Sequence, residues 1–304
     1  MKIVVTGGTG MVGSYIKEIV RVKYPEHEFK FLSRLDCELT DRKKTLLYFK
    51  TYKFDYIIHL AAAVGGLYKN MNDNIFMFSE NIKINENVLE ACHKTNVKRG
   101  IFCLSSCVYP AKPSRFPMTE EMLHESPPHF SNEGYSYSKR MLEMQTRAYN
   151  KKHGCQFICA TPVNLYGKYD NFNLVDGHFI PMIMHRFFKE KQFRHDYPGG
   201  NYEAYGTGEP LRQFLYAGDF AEIILSLLFH YEGDERHIIC CNDNEWKIRD
   251  IVHKLVDVME IPRGHVKWLT EKADGCMKKT VSNERTTRNN TGEGEMNKTN
   301  RFGE

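Results

Sequence analysis

The amino-acid sequence predicts an α/β fold, a doubly wound parallel sheet joined to a smaller, mixed C-terminal lobe. Three observations predict it. Short runs of β-branched and aromatic residues alternate with helical patterns between residues 2 and 162. The run from residue 56 to residue 63 is almost entirely apolar, which is typical of a strand covered by helices on both faces. After Pro162 the alternation gives way to glycine-rich sequence, so we expect a less regular second lobe there.

The alternation places the elements in order along the chain. Strands are predicted at residues 2–6, 27–32, 56–63, 100–105 and 155–162, and helices at 11–22, 41–52, 74–95 and 135–153. Further helices are predicted near 180–191 and 220–230 and at 248–259, with a strand at 266–269. Because parallel strands joined through helices end at one edge of their sheet, we expect a ligand site at that edge.

The chain of 304 residues is long enough for one large domain or two unequal ones. We expect residues 1–162, with crossover segments from 163–177 and about 212–245, to form the first domain, and residues 178–283 to form the second lobe. Residues 284–304 contain only Met296 and Phe302 as sizeable apolar side chains. That composition predicts a disordered tail.

Composition and charge exclude several classes of protein. Hydrophobic residues make up 41% of the chain and charged residues 26%, as in globular proteins, which argues against collagen-like and fully disordered chains. The longest apolar stretch, near residues 57–64, is too short to span a bilayer, so we expect no membrane association. The net charge of +4 is spread without a basic stripe and gives no support for nucleic-acid binding.

The cysteines and the first residues indicate a reducing compartment. Nine cysteines stand at irregular spacings, several of them inside apolar runs, which is typical of reduced thiols rather than a disulfide framework. Residues 1–13 show no apolar core followed by a small-residue cleavage site, so a signal peptide is not indicated and we expect a cytoplasmic protein. The absence of Cys-x-x-Cys pairs and histidine clusters predicts no metal site.

A glycine-rich turn lies between the first predicted strand and helix. It reads Thr6-Gly7-Gly8-Thr9-Gly10-Met11-Val12-Gly13, with glycines at every third position from Gly7. Such a turn lets the backbone approach a pyrophosphate, while the helix N-terminus supplies oriented N–H donors. A βα turn without a ligand is the alternative, but the βαβ pattern that follows favours a Rossmann-type dinucleotide site.

The end of the second predicted strand bears on the choice of dinucleotide. It reads Leu32-Ser33-Arg34, without the carboxylate that would accept a hydrogen bond from a ribose 2′-hydroxyl. Arg34 can instead pair with a 2′-phosphate, which favours NADP over NAD. Asp36 lies two residues further on, and Arg34 as a solvated surface cation is the alternative, so the sequence leaves this choice open.

A tyrosine and a lysine with helical spacing predict acid–base chemistry. Tyr135 and Lys139 share one face of the predicted helix, so we expect the ammonium group to lower the pKa of the phenol and to help it exchange a proton with a carbonyl or alcohol. Ser105, at the end of the preceding strand, can hydrogen-bond the same oxygen. Tyr137 faces elsewhere in this register and is expected to pack.

Together these motifs resemble the extended short-chain dehydrogenase/reductases, and within them the GDP-L-fucose synthase family. The resemblance extends from residue 2 to about Asn283. Besides the glycine turn, the segments that carry it are His59-Leu60-Ala61-Ala62, Ala63-Val64-Gly65-Gly66-Leu67, Ser105-Ser106-Cys107-Val108-Tyr109-Pro110, Gly134-Tyr135-Ser136-Tyr137-Ser138-Lys139-Arg140, Asn164-Leu165-Tyr166-Gly167, Asp170-Asn171-Phe172-Asn173 and Asp176-Gly177-His178-Phe179-Ile180-Pro181.

The resemblance implies two reactions on GDP-4-keto-6-deoxy-D-mannose: epimerisation at sugar carbons 3 and 5, then reduction of the carbon-4 ketone by NADPH. Protons beside a ketone are acidic because the carbanion delocalises into an enolate, so epimerisation needs a base on one face and an acid on the other. The resemblance assigns these roles to Cys107 and His178. It assigns the ketone oxygen to Ser105 and Tyr135. Without it, Cys107 would be read as a small buried side chain and His178 as a surface histidine.

The resemblance also implies the binding residues. The first domain would bind NADP(H), and the second lobe would bind the nucleotide sugar. Val163 stands where the family commonly has threonine, and Tyr205 where it often has tryptophan. Expected cofactor contacts are Gly7, Gly8, Thr9, Gly10, Met11, Val12, Gly13, Arg34, Leu60, Ala61, Ala62, Lys139, Pro162, Val163, Asn164, Leu165 and His178, and expected substrate contacts are Arg186, Tyr205, Arg212 and Asp274.

The sequence leaves more than one possibility open for both the oligomeric state and the activity. Members of the family are homodimers that pair through the helices here predicted at 74–95 and 135–153, although a monomer could bury the same apolar faces against its sheet. A simpler nucleotide-sugar 4-epimerase or 4-reductase would need Ser105, Tyr135 and Lys139 but not the Cys107 and His178 pair. An inactive NADP-binding protein is a third reading. Family members continue beyond residue 283 into a strand and a helix, whereas this chain continues in polar residues.

Overall fold

The computed structural model describes residues 1–194, 201–272 and 274–288. Its strands are β1 (Lys2–Thr6), β2 (Glu28–Leu32), β3 (Tyr56–His59), β4 (Arg99–Cys103), β5 (Gln156–Pro162), β6 (Asn164–Tyr166), β7 (Tyr202–Tyr205), β8 (Leu211–Tyr216), β9 (His237–Cys240), β10 (Glu245–Lys247) and β11 (Val266–Leu269). Its α-helices are α1 (Met11–Lys23), α2 (Arg42–Tyr52), α3 (Leu67–Asn72), α4 (Asn74–Lys94), α5 (Glu133–His153), α6 (Phe179–Arg194), α7 (Ala217–Phe229), α8 (Ile248–Val258) and α9 (Glu284–Arg288).

A parallel sheet of six strands in the order β2-β1-β3-β4-β5-β9 forms the centre of the fold. Every neighbouring pair in it is parallel. The chain moves from β1 to β2 on one side and then to β3 on the other, so the strand order reverses beside β1. In open α/β sheets the crevice outside the strand ends at such a reversal is the usual ligand site. The predicted doubly wound α/β fold is confirmed.

Both faces of this sheet are covered by helices, which explains why its strands read as continuous apolar runs. Ile3 and Val5 face the layer that contains α1 and α7. Val4, between them in sequence, faces the layer formed by α2, α4 and α5. All three side chains are fully buried. Because successive side chains of a strand point to opposite faces, this alternation leaves neither face of β1 free for solvent.

The second lobe is smaller and mixed, as expected. Strands β6, β8 and β10 form one sheet, and β7 and β11 form a parallel pair. Helices α6 and α8 pack on this pair through a small core of their own, which contains Ile183, Phe187, Tyr202, Val252 and Val256. The lobe therefore has an apolar centre separate from the two layers that flank the main sheet.

In the main sheet, two strand ends and one whole strand differ from the prediction; outside it, helix α3 and strands β6, β7, β8 and β10 were not predicted either. Strand β3 ends at His59 rather than at Ala63, and β4 at Cys103 rather than at Ser105. The chain leaves the sheet after His59 because Gly7 approaches it closely: a Cβ atom on Gly7 would lie 2.8 Å from the backbone nitrogen of Ala61. Strand β9 was missed, because it is only four residues long and extends the sheet at one edge, where it pairs with β5.

The predicted disordered tail begins too early. Residues 284–288 form α9, and the guanidinium of Arg285 donates a hydrogen bond of 3.1 Å to the carbonyl of His237 and contacts the carboxylates of Glu120 and Glu121. The prediction was wrong for these five residues because composition does not reveal partners that are distant in sequence. Residues 289–304 lie outside the described residues, and the domain boundaries stay a prediction.

A buried histidine connects the sheet to two helices beneath the crevice. The His59 ring lies 2.7 Å from the Thr6 hydroxyl through Nδ1 and 3.2 Å from the Asn85 carbonyl oxygen through Nε2. Because the Asn85 amide nitrogen donates to the Ser138 carbonyl, its oxygen is the acceptor for His59 Nε2–H. Burial, and then the charge of Lys139, lower the pKa of His59 to about 3. The ring is therefore neutral at physiological pH.

This histidine predicts a pH dependence of stability. The unfolded chain binds a proton at a histidine near pH 6.5, whereas folded His59 binds one only near pH 3, so its contribution is complete above about pH 6.5 and is lost as the pH falls towards 3. We expect His59→Asn to reduce the slope of the free energy of unfolding against pH by about 1.4 kcal/mol per unit in this range. Urea denaturation at several pH values measures the slope, with His265→Asn at an exposed position as the control. Equal slopes for wild type and His59→Asn would contradict the assignment.

Candidate functional site

A cleft of about 980 Å³ opens at the carboxyl ends of β1, β3, β4 and β5, between the main sheet and the second lobe. Most of the predicted site residues line it. Those that do are Gly7, Thr9, Gly10, Met11, Val12, Gly13, Arg34, Leu60, Ala61, Ala62, Ser105, Cys107, Tyr135, Lys139, Pro162, Val163, Asn164, Leu165, His178, Tyr205, Arg212 and Asp274. Gly8 and Arg186 are not among the lining residues.

The glycine turn forms a bare backbone cradle at one end of the cleft. Gly7 has a φ of +66°, which a residue with a side chain rarely adopts, and its carbonyl accepts a hydrogen bond of 3.0 Å from the nitrogen of Gly10. Gly10 caps α1 without a side-chain hydrogen bond, and the first turn of α1 has no acidic residue. The cradle thus leads into the first turn of α1, whose backbone N–H groups and positive helix end fit a pyrophosphate.

Gly8 packs against the sheet and does not line the cleft. A Cβ atom on Gly8 would lie 2.7 Å from the Cβ of Phe31, and one on Gly13 would lie 2.7 Å from the backbone of Gly8. These glycines therefore let α1 approach the sheet, while Gly7 and Gly10 face the ligand side.

The loop after β2 presents Arg34 at the rim of the cleft. Its guanidinium is exposed and lies 2.9 Å from a carboxylate oxygen of Glu38. Asp36 accepts hydrogen bonds from the backbone nitrogen and the hydroxyl of Ser33, at 2.8 and 2.6 Å, and these bonds hold the pKa of its carboxyl below the usual range. Asp36 is thus engaged within its own loop and does not line the cleft, whereas Glu38, the partner of Arg34, does.

Tyr135 and Lys139 lie on α5 at the base of the cleft, where Lys139 is buried and Tyr135 is partly buried. The Lys139 ammonium donates to the Cys103 carbonyl at 2.7 Å and lies 5.8 Å from the centre of the Tyr135 ring. Burial raises the pKa of Tyr135 well above its usual value, with the nearby Cys107 adding to the effect, and burial lowers the pKa of Lys139. The expected net lowering of the phenol pKa is therefore wrong here, because burial outweighs the effect of the nearby ammonium.

Ser105 and Cys107 lie on a short turn between β4 and α5. The Ser105 hydroxyl caps the turn by accepting a hydrogen bond of 3.4 Å from the nitrogen of Cys107. The Ser136 hydroxyl donates to the Cys107 carbonyl at 3.0 Å, and Arg140 donates to the Val108 carbonyl at 2.7 Å. Helix α5 thus fixes the turn beside the tyrosine that it carries.

His178 reaches the same cleft from the opposite lobe, directly before α6. Its side chain is 52% exposed, and Nδ1 lies 3.4 Å from a carboxylate oxygen of Asp170. The loop before it is anchored to the first domain, because the Gly66 nitrogen donates to the Asp176 carbonyl at 3.1 Å. The thiol and the imidazole that the sequence singled out therefore line the same cleft.

The four predicted substrate residues have different surroundings. Arg212 is held by its own strand, since it donates to the Leu211 carbonyl at 2.8 Å, and burial lowers its pKa. Asp274 accepts hydrogen bonds of 2.7 and 2.8 Å from the nitrogen and hydroxyl of Thr207, so much of its capacity is used within the lobe. Arg186 stacks on the Tyr205 ring at 4.1 Å, and it therefore supports a lining residue without lining the cleft itself.

Sequence reasoning missed several polar groups of the cleft, including Lys279, Asp170, Glu38 and His129. Lys279 lines it, and burial followed by the charge of Arg212 lowers the pKa of its ammonium. Asp170 lines it beside His178. Lys279 lies outside any predicted helix or strand, so no periodicity connected it to the site. Asp170 was visible only as part of a family segment.

The described residues contain neither a metal-ligand cluster nor a membrane-spanning helix. Within ranges 1–194, 201–272 and 274–288, no group of three or more His, Cys, Asp or Glu side chains could hold a metal ion. In the same ranges no helix combines the length and the apolar character that crossing a bilayer requires.

Comparisons with known proteins identify the family of this chain. Residues 3–241 match the NAD dependent epimerase/dehydratase family. GDP-L-fucose synthase of Dictyostelium discoideum is 41% identical over 92% of this chain and 86% of its own length. The probable GDP-L-fucose synthase of Drosophila melanogaster is 37% identical over 93% of this chain and 88% of its own. The crystal structure of a GDP-L-fucose synthetase from Naegleria fowleri bound to NADP is similar at 38% identity, with a TM-score of 0.85 over 95% of this chain and 87% of that one. The chain therefore belongs to the NAD dependent epimerase/dehydratase family and, within it, to the GDP-L-fucose synthase family.

Proposed function

We propose that this protein is an NADPH-dependent epimerase-reductase that converts GDP-4-keto-6-deoxy-D-mannose to GDP-L-fucose. The observation that carries the proposal is that one cleft contains Ser105, Tyr135 and Lys139 together with both Cys107 and His178. A simple 4-reductase or 4-epimerase needs only the first three. Kinship with named GDP-L-fucose synthases at 37–41% identity supports the same activity.

The cofactor is NADP(H). The backbone cradle at Gly7 and Gly10 fits a pyrophosphate, and Arg34 at the rim supplies a guanidinium for a 2′-phosphate. The family relative that was solved with NADP supports this assignment. When bound, the reduced cofactor supplies the hydride for the ketone carbon. The chain's own residues bind it, orient it and supply the protons.

Reduction requires a proton for the ketone oxygen. Tyr135 is neutral in its buried position, because its pKa is raised, so the phenol carries the proton that this oxygen needs. Ser105 can donate a second hydrogen bond to the same oxygen. The Lys139 ammonium compensates the negative charge that remains on the phenol oxygen after the transfer.

Epimerisation relies on hydrogen bonds to the same ketone oxygen, which becomes an enolate oxygen. When a proton leaves carbon 3 or carbon 5, the electron pair moves into an enolate, and hydrogen bonds from Ser105 and Tyr135 stabilise its oxygen. Cys107 lies on the α5 side of the cleft and His178 on the α6 side. One therefore removes a proton from one face of the sugar and the other returns a proton to the opposite face, which inverts the carbon.

The protein is proposed to act in the cytoplasm as a homodimer. All nine cysteines lie in the described ranges and are free, which supports a reducing compartment. Outward-facing apolar side chains on α4 and α5 support the dimer: Ile75 is 84% exposed, and Phe78 and Met144 are also exposed. Burying these neighbouring helices against a second copy would cover them.

Arg34 tests the choice of cofactor. A charged hydrogen bond contributes roughly 1.5–3 kcal/mol, so we expect Arg34→Ala to raise the Kd for NADPH by about 10- to 100-fold and to leave the Kd for NADH within about twofold. Fluorescence titration measures both constants. Lys44→Ala, which removes an exposed cation of α2 outside the cleft, is the matched control. Equal weakening for both dinucleotides would contradict a 2′-phosphate role.

Cys107 tests the double epimerase assignment. We expect Cys107→Ala to reduce solvent deuterium exchange at carbons 3 and 5 of the keto sugar by about 100-fold or more, because an acid–base group of this kind contributes roughly 10²–10⁴-fold. Hydride transfer from GDP-L-fucose to NADP⁺ should change little. Mass spectrometry and absorbance at the NADPH band measure the two rates. Cys276→Ala removes another cleft thiol and is the control. Undiminished exchange in Cys107→Ala would refute the assignment.

Ile75 tests the dimer. We expect Ile75→Glu to convert a dimer into a monomer at micromolar concentration, because a charge would be buried in the interface. Light scattering coupled to gel filtration measures the mass. Phe193→Glu, at a similarly exposed apolar position on α6, should leave the mass unchanged. A wild-type protein of monomer mass would contradict the proposal.

A further inference from the structure

A buried carboxylate beside His178 has no role in the chemistry described so far. The Asp170 side chain is only 4% exposed, although it lines the cleft. One oxygen, Oδ1, accepts a hydrogen bond of 2.7 Å from the nitrogen of Asn171 and lies 3.4 Å from His178 Nδ1. Within the described residues, the buried Oδ2 has no hydrogen-bond partner. Burying an ionised carboxylate is costly unless it is paired, and the imidazole of His178 is the side chain that lies against Oδ1.

The local backbone holds the carboxylate and the imidazole together across eight positions of sequence. The Asp170 nitrogen donates to the Gly167 carbonyl at 3.1 Å, and the Gly177 nitrogen donates to the Asn173 carbonyl at 3.0 Å. The loop is tight at Gly177, where a Cβ atom would lie 2.5 Å from the carbonyl oxygens of Asn171 and Asn173. The approach of Asp170 to His178 is therefore built into the loop.

The chemistry of the two groups fixes the position of the proton. An ionised carboxylate only accepts hydrogen bonds, and a neutral imidazole has one donor nitrogen and one acceptor nitrogen. Since Nδ1 is the nitrogen next to Asp170, Nδ1 carries the proton and Nε2 keeps its lone pair. The two nitrogens lie on different edges of the ring, which leaves the Nε2 edge for the cleft.

We propose that Asp170 is a positioning residue for His178: it fixes the Nδ1–H form and the orientation of the ring, so that Nε2 exchanges protons with the sugar carbon. This inference rests on the proposed function. In one direction, Nε2 accepts the proton as the C–H bond breaks and the electron pair moves into the enolate. In the other, Nε2–H returns the proton and the enolate electron pair closes the C–H bond. The shielded carboxylate compensates the positive charge of the doubly protonated ring.

The full-length variant Asp170→Asn tests this role, because it keeps the size of the side chain and removes its charge. We expect solvent deuterium exchange at the epimerised carbons to fall by about 10- to 100-fold, as is common when the partner that orients a histidine is lost. The KM for the sugar nucleotide and single-turnover hydride transfer from GDP-L-fucose to NADP⁺ should stay within about twofold. Asp176→Asn is the matched control, since Asp176 belongs to the same loop but pairs with Lys69 and does not line the cleft.

Nitrogen NMR of the imidazole gives a readout that loss of folding would not imitate. The His178 signals are identified by their disappearance in His178→Gln. We expect the Nδ1–H form in wild type and a loss of that preference in Asp170→Asn. Unchanged exchange in Asp170→Asn, or the Nε2–H form in wild type, would overturn the inference. A wild-type protein that neither exchanges protons nor transfers hydride would instead overturn the proposed function, while the NMR result would still report on the pair.

Discussion

The hydrogen bond from the Ser136 hydroxyl to the Cys107 carbonyl joins the turn after β4 to the helix that carries Tyr135 and Lys139. Together with the bond from Arg140 to the Val108 carbonyl, it gives the turn and the helix one fixed geometry. The phenol, the hydroxyl and the thiol can then contact one ketone and its neighbouring carbons without movement of the turn or the helix. Preorganisation of this kind is what makes hydrogen-bond donors effective towards a developing oxyanion.

The remaining acid–base group comes from another part of the molecule. His178 precedes α6, whose core side chains pack with the second lobe, yet the loop before it is bonded to Gly66 in the first domain. The cleft therefore lies between a floor, formed by the main sheet and α5, and a facing wall, formed by the smaller lobe. This arrangement suits a sugar that loses a proton from one face and gains one on the other, since a single wall could place an acid and a base on one face only.

Much of the fold was predictable because its signals are local. Tyr56 to His59 read as a strand covered on both faces, and the glycine turn lies between β1 and α1 as its pattern predicted. What failed depends on distant contacts. Strand β3 stops early because Gly7 approaches Ala61, and α9 forms because Arg285 reaches Glu120 and Glu121. The raised pKa of Tyr135 follows from burial, which the spacing of a tyrosine and a lysine does not reveal.

In the proposed mechanism, one oxygen-binding site serves both proton exchange and reduction. Ser105→Ala distinguishes this shared site from two separate ones, since the mechanism gives this hydroxyl no acid–base role of its own. Solvent deuterium exchange at carbons 3 and 5 and single-turnover NADPH oxidation should both fall, and by similar factors of about 10²–10³, as is usual when one oxyanion donor is removed. Exchange at the wild-type rate alongside slowed reduction would show that the two steps use different oxygen contacts, and would contradict the account.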